Sequence, residues 1–148
     1  MFLLFFAEIL VTAFLFAMLE IQIEGTDGWA AKLPTWRISN RWTKAVLGHK
    51  PLTGYHLYAF VFVLIMLHFP FALNLTAFTW KSEMRILSFM IFFWIVEDFL
   101  WFVLNPQYGL RKFKREFIWW HEHSWWLIAP REYFIYGPAG VLLYYFSL

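Results

Sequence analysis

The sequence contains no cysteine and few charged residues. Without cysteine there is no disulfide framework, no thiolate nucleophile and no cysteine metal site. Charged residues make up 15% of the 148 residues, and the net charge of +2 is too small to indicate a nucleic-acid partner. Phosphate loops, nucleophile elbows, dinucleotide fingerprints and His-Glu-x-x-His zinc motifs are absent from the sequence. The common hydrolase, nucleotide-binding and zincin functions therefore have no support.

Apolar residues are abundant instead. They form 61% of the chain, aromatic residues alone form 24%, and the mean hydropathy is +0.56. This leaves too little polar surface to cover a water-facing globule, so the lipid bilayer must solvate much of the chain. The length fits one domain, and we predict a single membrane domain over residues 1–148.

Four apolar segments predict an all-α integral membrane bundle of four transmembrane helices, at about residues 2–21, 55–75, 86–104 and 130–148. Residues 51–80 contain no Asp, Glu, Lys or Arg, and a helical span needs about 20 apolar residues. The third segment is interrupted only by Glu97 and Asp98. The fourth is the weakest, because it is free of charge only from residue 133 and follows Pro130.

Basic residues predict the orientation of these spans. Ten of the 12 Lys and Arg residues fall within residues 22–54 and 105–132, which lie on the same side of a four-span bundle. The positive-inside rule then places both large loops in the cytoplasm and both termini outside. We therefore expect a protein integral to a plasma (inner) membrane.

The first large loop has a helical pattern of its own. Its apolar side chains recur at helical spacing and are Ile38, Trp42, Ala45 and Val46. Basic side chains flank them and are Arg37, Arg41 and Lys44. This pattern predicts a short amphipathic helix in the membrane interface, with the basic residues bound to lipid head groups. The alternative is a solvated basic loop.

Ionisable residues inside the spans carry the main functional signal. The first span holds Glu8 and Glu20 and the second holds His56 and His68, each pair twelve residues or about 18 Å apart. In antiparallel helices this spacing predicts Glu20 near His56 and Glu8 near His68. Glu97 and Asp98 of the third span lie between these two layers. Each carboxylate at the bilayer centre costs about 3 kcal/mol, so we expect these groups to face partners inside the bundle.

A second cluster surrounds two histidines with four tryptophans over residues 119–126. If this segment is extended, His121 and His123 point the same way and form a clamp for zinc or non-haem iron. The alternative is a tryptophan belt at head-group level. A bis-histidine haem is not expected, because His56 and His68 lie on one helix about 18 Å apart.

Three functions remain open. The first is a metal-binding site at the cytoplasmic interface that acts on a lipid-like hydrophobic substrate. Its metal ligands would be Glu20, His56, His121 and His123. Glu97 would be its proton donor or acceptor, and Asp98 would be a second catalytic residue or the metal ligand in place of Glu20. The second is a proton-coupled carrier or proton relay, which at this size would need a homo-oligomer. Its main stations would be Glu8, His68, Glu97 and Asp98. The third is a non-catalytic membrane scaffold.

Overall fold

The computed structural model describes residues 2–47 and 50–148, and these are mostly helical. The α-helices are α1 (Phe2–Glu24), α2 (Arg41–Leu47), α3 (Gly54–Ala72), α4 (Trp80–Leu104) and α5 (Arg131–Phe146). Two short antiparallel ribbons pair β1 (Arg37–Ile38) with β2 (Leu52–Thr53), and β3 (Trp125–Trp126) with β4 (Ala129–Pro130). Three single turns of 3-10 helix lie between α4 and β3, at Leu110–Lys112, Arg115–Phe117 and Trp119–His121.

Three of these helices are long and apolar enough to cross a membrane, namely α1, α3 and α4. This agrees with the first three predicted spans. The predicted fourth span is not confirmed, because α5 has 16 residues and a helical span needs about 20. Pro130 directly precedes α5, and its fixed φ and missing N–H favour a helix start there.

Local chemistry sets the helix ends. Gly25 adopts a left-handed φ of +68° after α1, and its N–H donates to the Ile21 carbonyl. Thr79 caps α4 and forms a reciprocal capping box with Ser82, so α4 begins at Trp80, ahead of the predicted span. At the other end of α4, the Asn105 side chain donates to the Gly25 carbonyl at 2.9 Å. The turn after α1 is thereby fastened to the turn after α4.

Helix α4 is the centre of the bundle. It packs along both α1 and α5, whereas α3 packs against it more lightly. Ala13 and Ala17 of α1 are fully buried, and such small residues permit close approach of neighbouring helices. A cluster of buried large side chains covers the C-terminal end of α4 and contains Trp101, Phe102, Ile118 and Trp120. The loops therefore fold back onto one end of the bundle, where α1 and α4 end and α3 and α5 begin. We call this the loop end.

The first loop contains the predicted short helix, α2. Asn40 caps it, since its Oδ1 accepts hydrogen bonds from the N–H groups of Trp42 and Thr43. Ile38 belongs to strand β1 rather than to the helix. Trp42 is 78% exposed, which is compatible with a surface in contact with lipid. The pairing of β1 with β2 closes the loop at the base of α3.

Candidate functional site

A cavity of about 430 Å³ lies at the loop end, between α1, α3, α4 and α5. This volume falls within the usual range for small-ligand sites. Most of its wall is aromatic and aliphatic. Its ionisable lining residues are Glu20, Glu24, Lys50, His56, Glu97, Asp98, His121, Glu132, Tyr133 and Tyr136. The cavity thus collects acids, imidazoles and one amine from four helices and two loops.

Three of these residues form a compact group of potential metal ligands. Glu20 and Glu24 lie one turn apart on α1, and His56 lies in the first turn of α3. One ligand atom from each lies within 4.8 Å of the others. All three residues are buried, with 6%, 8% and 6% of their surface exposed, respectively. Buried carboxylate and imidazole groups at this separation are suited to a divalent cation.

The His56 ring is held on two sides. Its Nδ1 lies 2.7 Å from the Thr53 hydroxyl, which also caps α3. Its face stacks on Trp29 at 3.9 Å between ring centroids. When Nδ1 donates its proton to Thr53, the Nε2 lone pair faces Glu24 Oε1, 3.4 Å away. Metal-binding histidines are typically oriented by such a second hydrogen bond.

The turn after α1 positions Glu24 and Trp29. Glu24 Oε1 accepts the Ala30 N–H, and Trp29 Nε1 donates to the Pro51 carbonyl at 2.7 Å. Trp29 and Ala30 both adopt a left-handed φ, which is uncommon for residues other than glycine. Strained backbone next to a group of buried ionisable side chains is a frequent feature of functional sites.

Lys50 and His121 form the opposite side of the polar group. Lys50 is 8% exposed, and its Nζ lies 4.0 Å from the Trp29 ring centroid and 3.5 Å from His121 Nε2. Burial lowers the pKa of Lys50, while the carboxylates of Asp98 and Glu132 act in the opposite direction. Burial also lowers the pKa of His121, and the neighbouring Lys50 adds to this effect. His121 is therefore a neutral imidazole at neutral pH and can accept a proton or bind a cation.

The carboxyl groups of the cavity are only partly satisfied. Glu20 and Glu97 lie within hydrogen-bonding reach of each other, which requires a proton on one of them. The Oε1 atoms of both residues are buried and form no hydrogen bond with any residue that the structure describes. Asp98 accepts a short hydrogen bond from the Tyr133 hydroxyl and lies 3.7 Å from His121 Nε2.

Glu132 adds a fifth carboxyl group to this cavity. Its Oε2 lies 3.8 Å from His121 Nδ1, and neither of its carboxylate oxygens forms a hydrogen bond within the described chain. Lys50 is the one lysine or arginine that lines the cavity among the residues with described positions. Buried charges must be paired, neutralised by protons or bound to metal, so this excess of acids favours protons or a cation.

The structure brings five predicted site residues together around the cavity. They are Glu20, His56, Glu97, Asp98 and His121. The expected proximity of Glu20 to His56 at the end of the bundle is present, since both belong to the group of potential ligands. The depth of each residue along its helix was sufficient to predict this, because both residues lie at the loop ends of helices α1 and α3.

Other predicted site residues lie elsewhere. His121 is buried, whereas His123 is exposed and does not line the cavity. The segment is not extended here, because Trp119–His121 forms a 3-10 turn and Glu122 adopts helical backbone angles. The structure therefore separates the two histidines of the expected clamp.

The outer ends of the spans also differ from expectation. His68 lies beside Glu83 instead of Glu8, with Nε2 3.1 Å from Glu83 Oε2. Glu83 reaches this level because the Thr79 capping box extends α4 beyond the predicted span. Glu8 is exposed and lines a separate pocket with Arg85.

The basic residues of the first loop have different roles. Arg37 donates hydrogen bonds to the carbonyl groups of Ala30, Ala31 and Thr35, so its guanidinium group stabilises the turn after α1. Arg41 and Lys44 remain exposed on α2. Arg41 and Lys44 are therefore free to contact lipid head groups as expected, whereas the guanidinium group of Arg37 is already bound to backbone carbonyls.

Several cavity residues were absent from the predicted site, namely Glu24, Lys50, Glu132 and Tyr133. Glu24 lies four positions after Glu20, and this helical spacing was a signal that the two share a face. Lys50 lies in a loop and has no periodic pattern that marks it. Glu132 and Tyr133 depend on the packing of α5 against α4, which no local signal predicts.

Comparisons with protein-family models, with curated proteins and with solved structures found no match to this chain. We therefore infer the function from the cavity and its residues.

Proposed function

We propose that this chain is an integral membrane protein that binds zinc or iron through Glu20, Glu24 and His56 and acts on a lipid-like substrate in the adjoining cavity. The observation that carries this proposal is the buried group of three ligand atoms within 4.8 Å. Oxygen and nitrogen ligands suit zinc and non-haem iron. Three protein ligands leave a position for water or substrate, as in catalytic metal sites.

The remaining polar residues of the cavity would have separate chemical roles. A bound metal would polarise a substrate oxygen or lower the pKa of a bound water. Glu97, which is within hydrogen-bonding reach of Glu20, is our candidate for the proton donor or acceptor. Asp98 lies next to it, accepts a hydrogen bond from Tyr133 and faces His121, so its carboxylate can stabilise the imidazole when that ring takes up a proton. We assign His121 to proton transfer rather than to the metal, because it is not part of the compact ligand group.

The fourth helix and the orientation are part of the same proposal. We propose that α5, which packs along α4, is the fourth helix of the membrane bundle. We also propose that the loop end faces the cytoplasm. The excess of basic residues in the two large loops supports this orientation. The exposed Arg41 and Lys44 of α2 would then contact anionic lipid head groups.

The proton-relay alternative receives less support from the geometry. It requires stations across the membrane, but residues 86–96 of α4 contain no ionisable side chain. Glu83 and Glu97 are therefore about 20 Å apart along the helix. Acids grouped at one end of the bundle favour a localised site.

The metal is tested by elemental analysis of protein purified without chelators and supplied with zinc or ferrous iron. We expect about one equivalent in the wild type. Glu24→Gln should lose the metal, because the amide is a poor ligand although its oxygen can still accept the Ala30 N–H. Glu122→Gln is the matched control, since it removes an exposed carboxylate outside the cavity.

Two results contradict the metal site. One is a wild type that holds less than about a tenth of an equivalent of zinc, iron, copper or manganese. The other is a Glu24→Gln variant that retains as much metal as Glu122→Gln. The scaffold hypothesis predicts the first of these results.

A further inference from the structure

The cavity extends from the polar group into the apolar part of the bundle. On α4 its wall is a continuous stripe at helical spacing, formed by Leu87, Met90, Ile91, Trp94 and Ile95 and followed by the acids. On α5 the facing stripe contains Tyr133, Tyr136 and Leu143, spaced by three and seven residues. We call the part of the cavity between Leu87 and the level of Asp98 the apolar arm.

The length of the apolar arm matches one leaflet of a bilayer. Leu87 and Asp98 are eleven residues apart on α4, which corresponds to about 16 Å. The hydrocarbon core of a bilayer is about 30 Å thick, so one leaflet contributes about 15 Å. The arm thus spans the depth that one lipid chain occupies in a leaflet of the bilayer.

The side of the arm toward α3 is thinly covered. Helix α3 contributes His56 and Phe60 to the cavity lining, both near its loop end. Beyond Phe60 the described part of α3 adds nothing to the wall, and α3 packs only lightly against α4. We place the entry of a hydrocarbon chain from the bilayer on this side of the arm.

We propose that the apolar arm holds one hydrocarbon chain of a lipid whose anionic, oxygen-bearing head group lies between the three metal ligands and Lys50. The buried Lys50 ammonium supplies a positive partner, and a metal with three protein ligands has a position for an oxygen of the head group. The head-group part of this inference rests on the proposed function. The chain part rests on the shape and lining of the arm alone.

Leu87 and Leu143 limit the chain length in this arrangement. They lie farthest from the acids on their helices among the residues that line the cavity. A chain that reaches them fills the arm, and further methylene groups must leave it. Binding should therefore strengthen with chain length and then level off.

The experiment measures the binding of radiolabelled fatty acids, from octanoate to octadecanoate, to zinc-loaded protein in detergent by scintillation proximity. Affinity is expressed relative to free fatty acid. Each methylene that enters the arm should raise affinity by up to about fourfold, which corresponds to about 0.8 kcal/mol. Affinity should stop rising once the chain reaches Leu87 and Leu143.

Two substitutions at the end of the arm move this limit in opposite directions. Leu143→Trp should level off at shorter chains, and Leu143→Ala at longer ones. Leu142→Trp is the matched control, because Leu142 is 56% exposed and does not line the cavity. An unfolding midpoint of each variant close to that of the wild type shows that the fold is intact. An unchanged limit in both Leu143 variants would overturn the apolar arm as the chain site.

The head group and the metal are tested separately. Lys50→Met should weaken the binding of dodecanoate and leave dodecanol unaffected, and an equal loss for both would overturn the placement of the head group. Removing zinc with a chelator should lower the affinity for every fatty acid and keep the length limit. If affinity is unchanged without zinc while the limit still responds to Leu143, the metal proposal fails and the chain site stands.

Discussion

Replacing Gly28 with alanine tests how the turn after α1 is fitted to the aromatic cluster at the loop end. Gly28 adopts a φ of +65°, and a Cβ built there would lie 2.2 Å from Cη2 of Trp120. Trp120 is 4% exposed and stacks on Phe102, so its ring cannot move aside freely. The alanine side chain must therefore displace either the turn or the ring.

Gly25→Ala provides the matched control. Gly25 has almost the same φ, +68°, but a Cβ there would meet nothing within 4 Å. Both variants incur the left-handed backbone penalty of about 1–2 kcal/mol. Only Gly28→Ala adds the cost of overpacking, about 1–3 kcal/mol. The two variants should therefore differ in their unfolding equilibrium constants by roughly 5- to 150-fold.

Unfolding in mixed micelles of increasing dodecyl sulfate content measures this difference, with tryptophan fluorescence as the signal. The ten tryptophans give a strong signal, and Trp120 belongs to the buried cluster. Equal destabilisation by the two substitutions would refute the contact between the turn and Trp120.

His121 should contribute a loss of stability on acidification, because burial lowers its pKa below the ordinary value of 6.5 while the unfolded chain keeps that value. At this histidine the unfolded state then binds more protons below about pH 6.5, so the change in stability from pH 7 to pH 5 should be less favourable in the wild type than in His121→Gln. Arg37→Lys should lower stability by about 1–3 kcal/mol, because an ammonium cannot reproduce the hydrogen bonds of the guanidinium fork to the carbonyls of the turn. Lys44→Gln should leave stability unchanged and instead lower the amount of anionic lipid that copurifies with the protein in detergent, and the reverse pattern in lipid quantification and an unfolding titration would contradict these roles.

Properties that depend on short stretches of sequence were predictable. The membrane environment follows from the excess of apolar residues, and α1, α3 and α4 follow from the length of their apolar runs. The short helix of the first loop follows from the helical spacing of Trp42, Ala45 and Val46. Glu20 and His56 could be placed at the same depth because the rise of a helix is constant.

The hydrophobic pattern of the sequence did not by itself determine the positions of the loops and of the helix ends. His121 and His123 separate because the chain turns within the tryptophan-rich segment, and His68 meets Glu83 because a capping box lengthens α4. Packing of α5 against α4 brings Glu132 to the cavity, and the closed first loop brings Lys50. Periodicity reports which face of one helix is apolar, whereas contacts between elements depend on the three-dimensional course of the chain. Sequence therefore identified a membrane protein with buried acids, and the tertiary structure decided which of those acids share a cavity with an amine and two imidazoles.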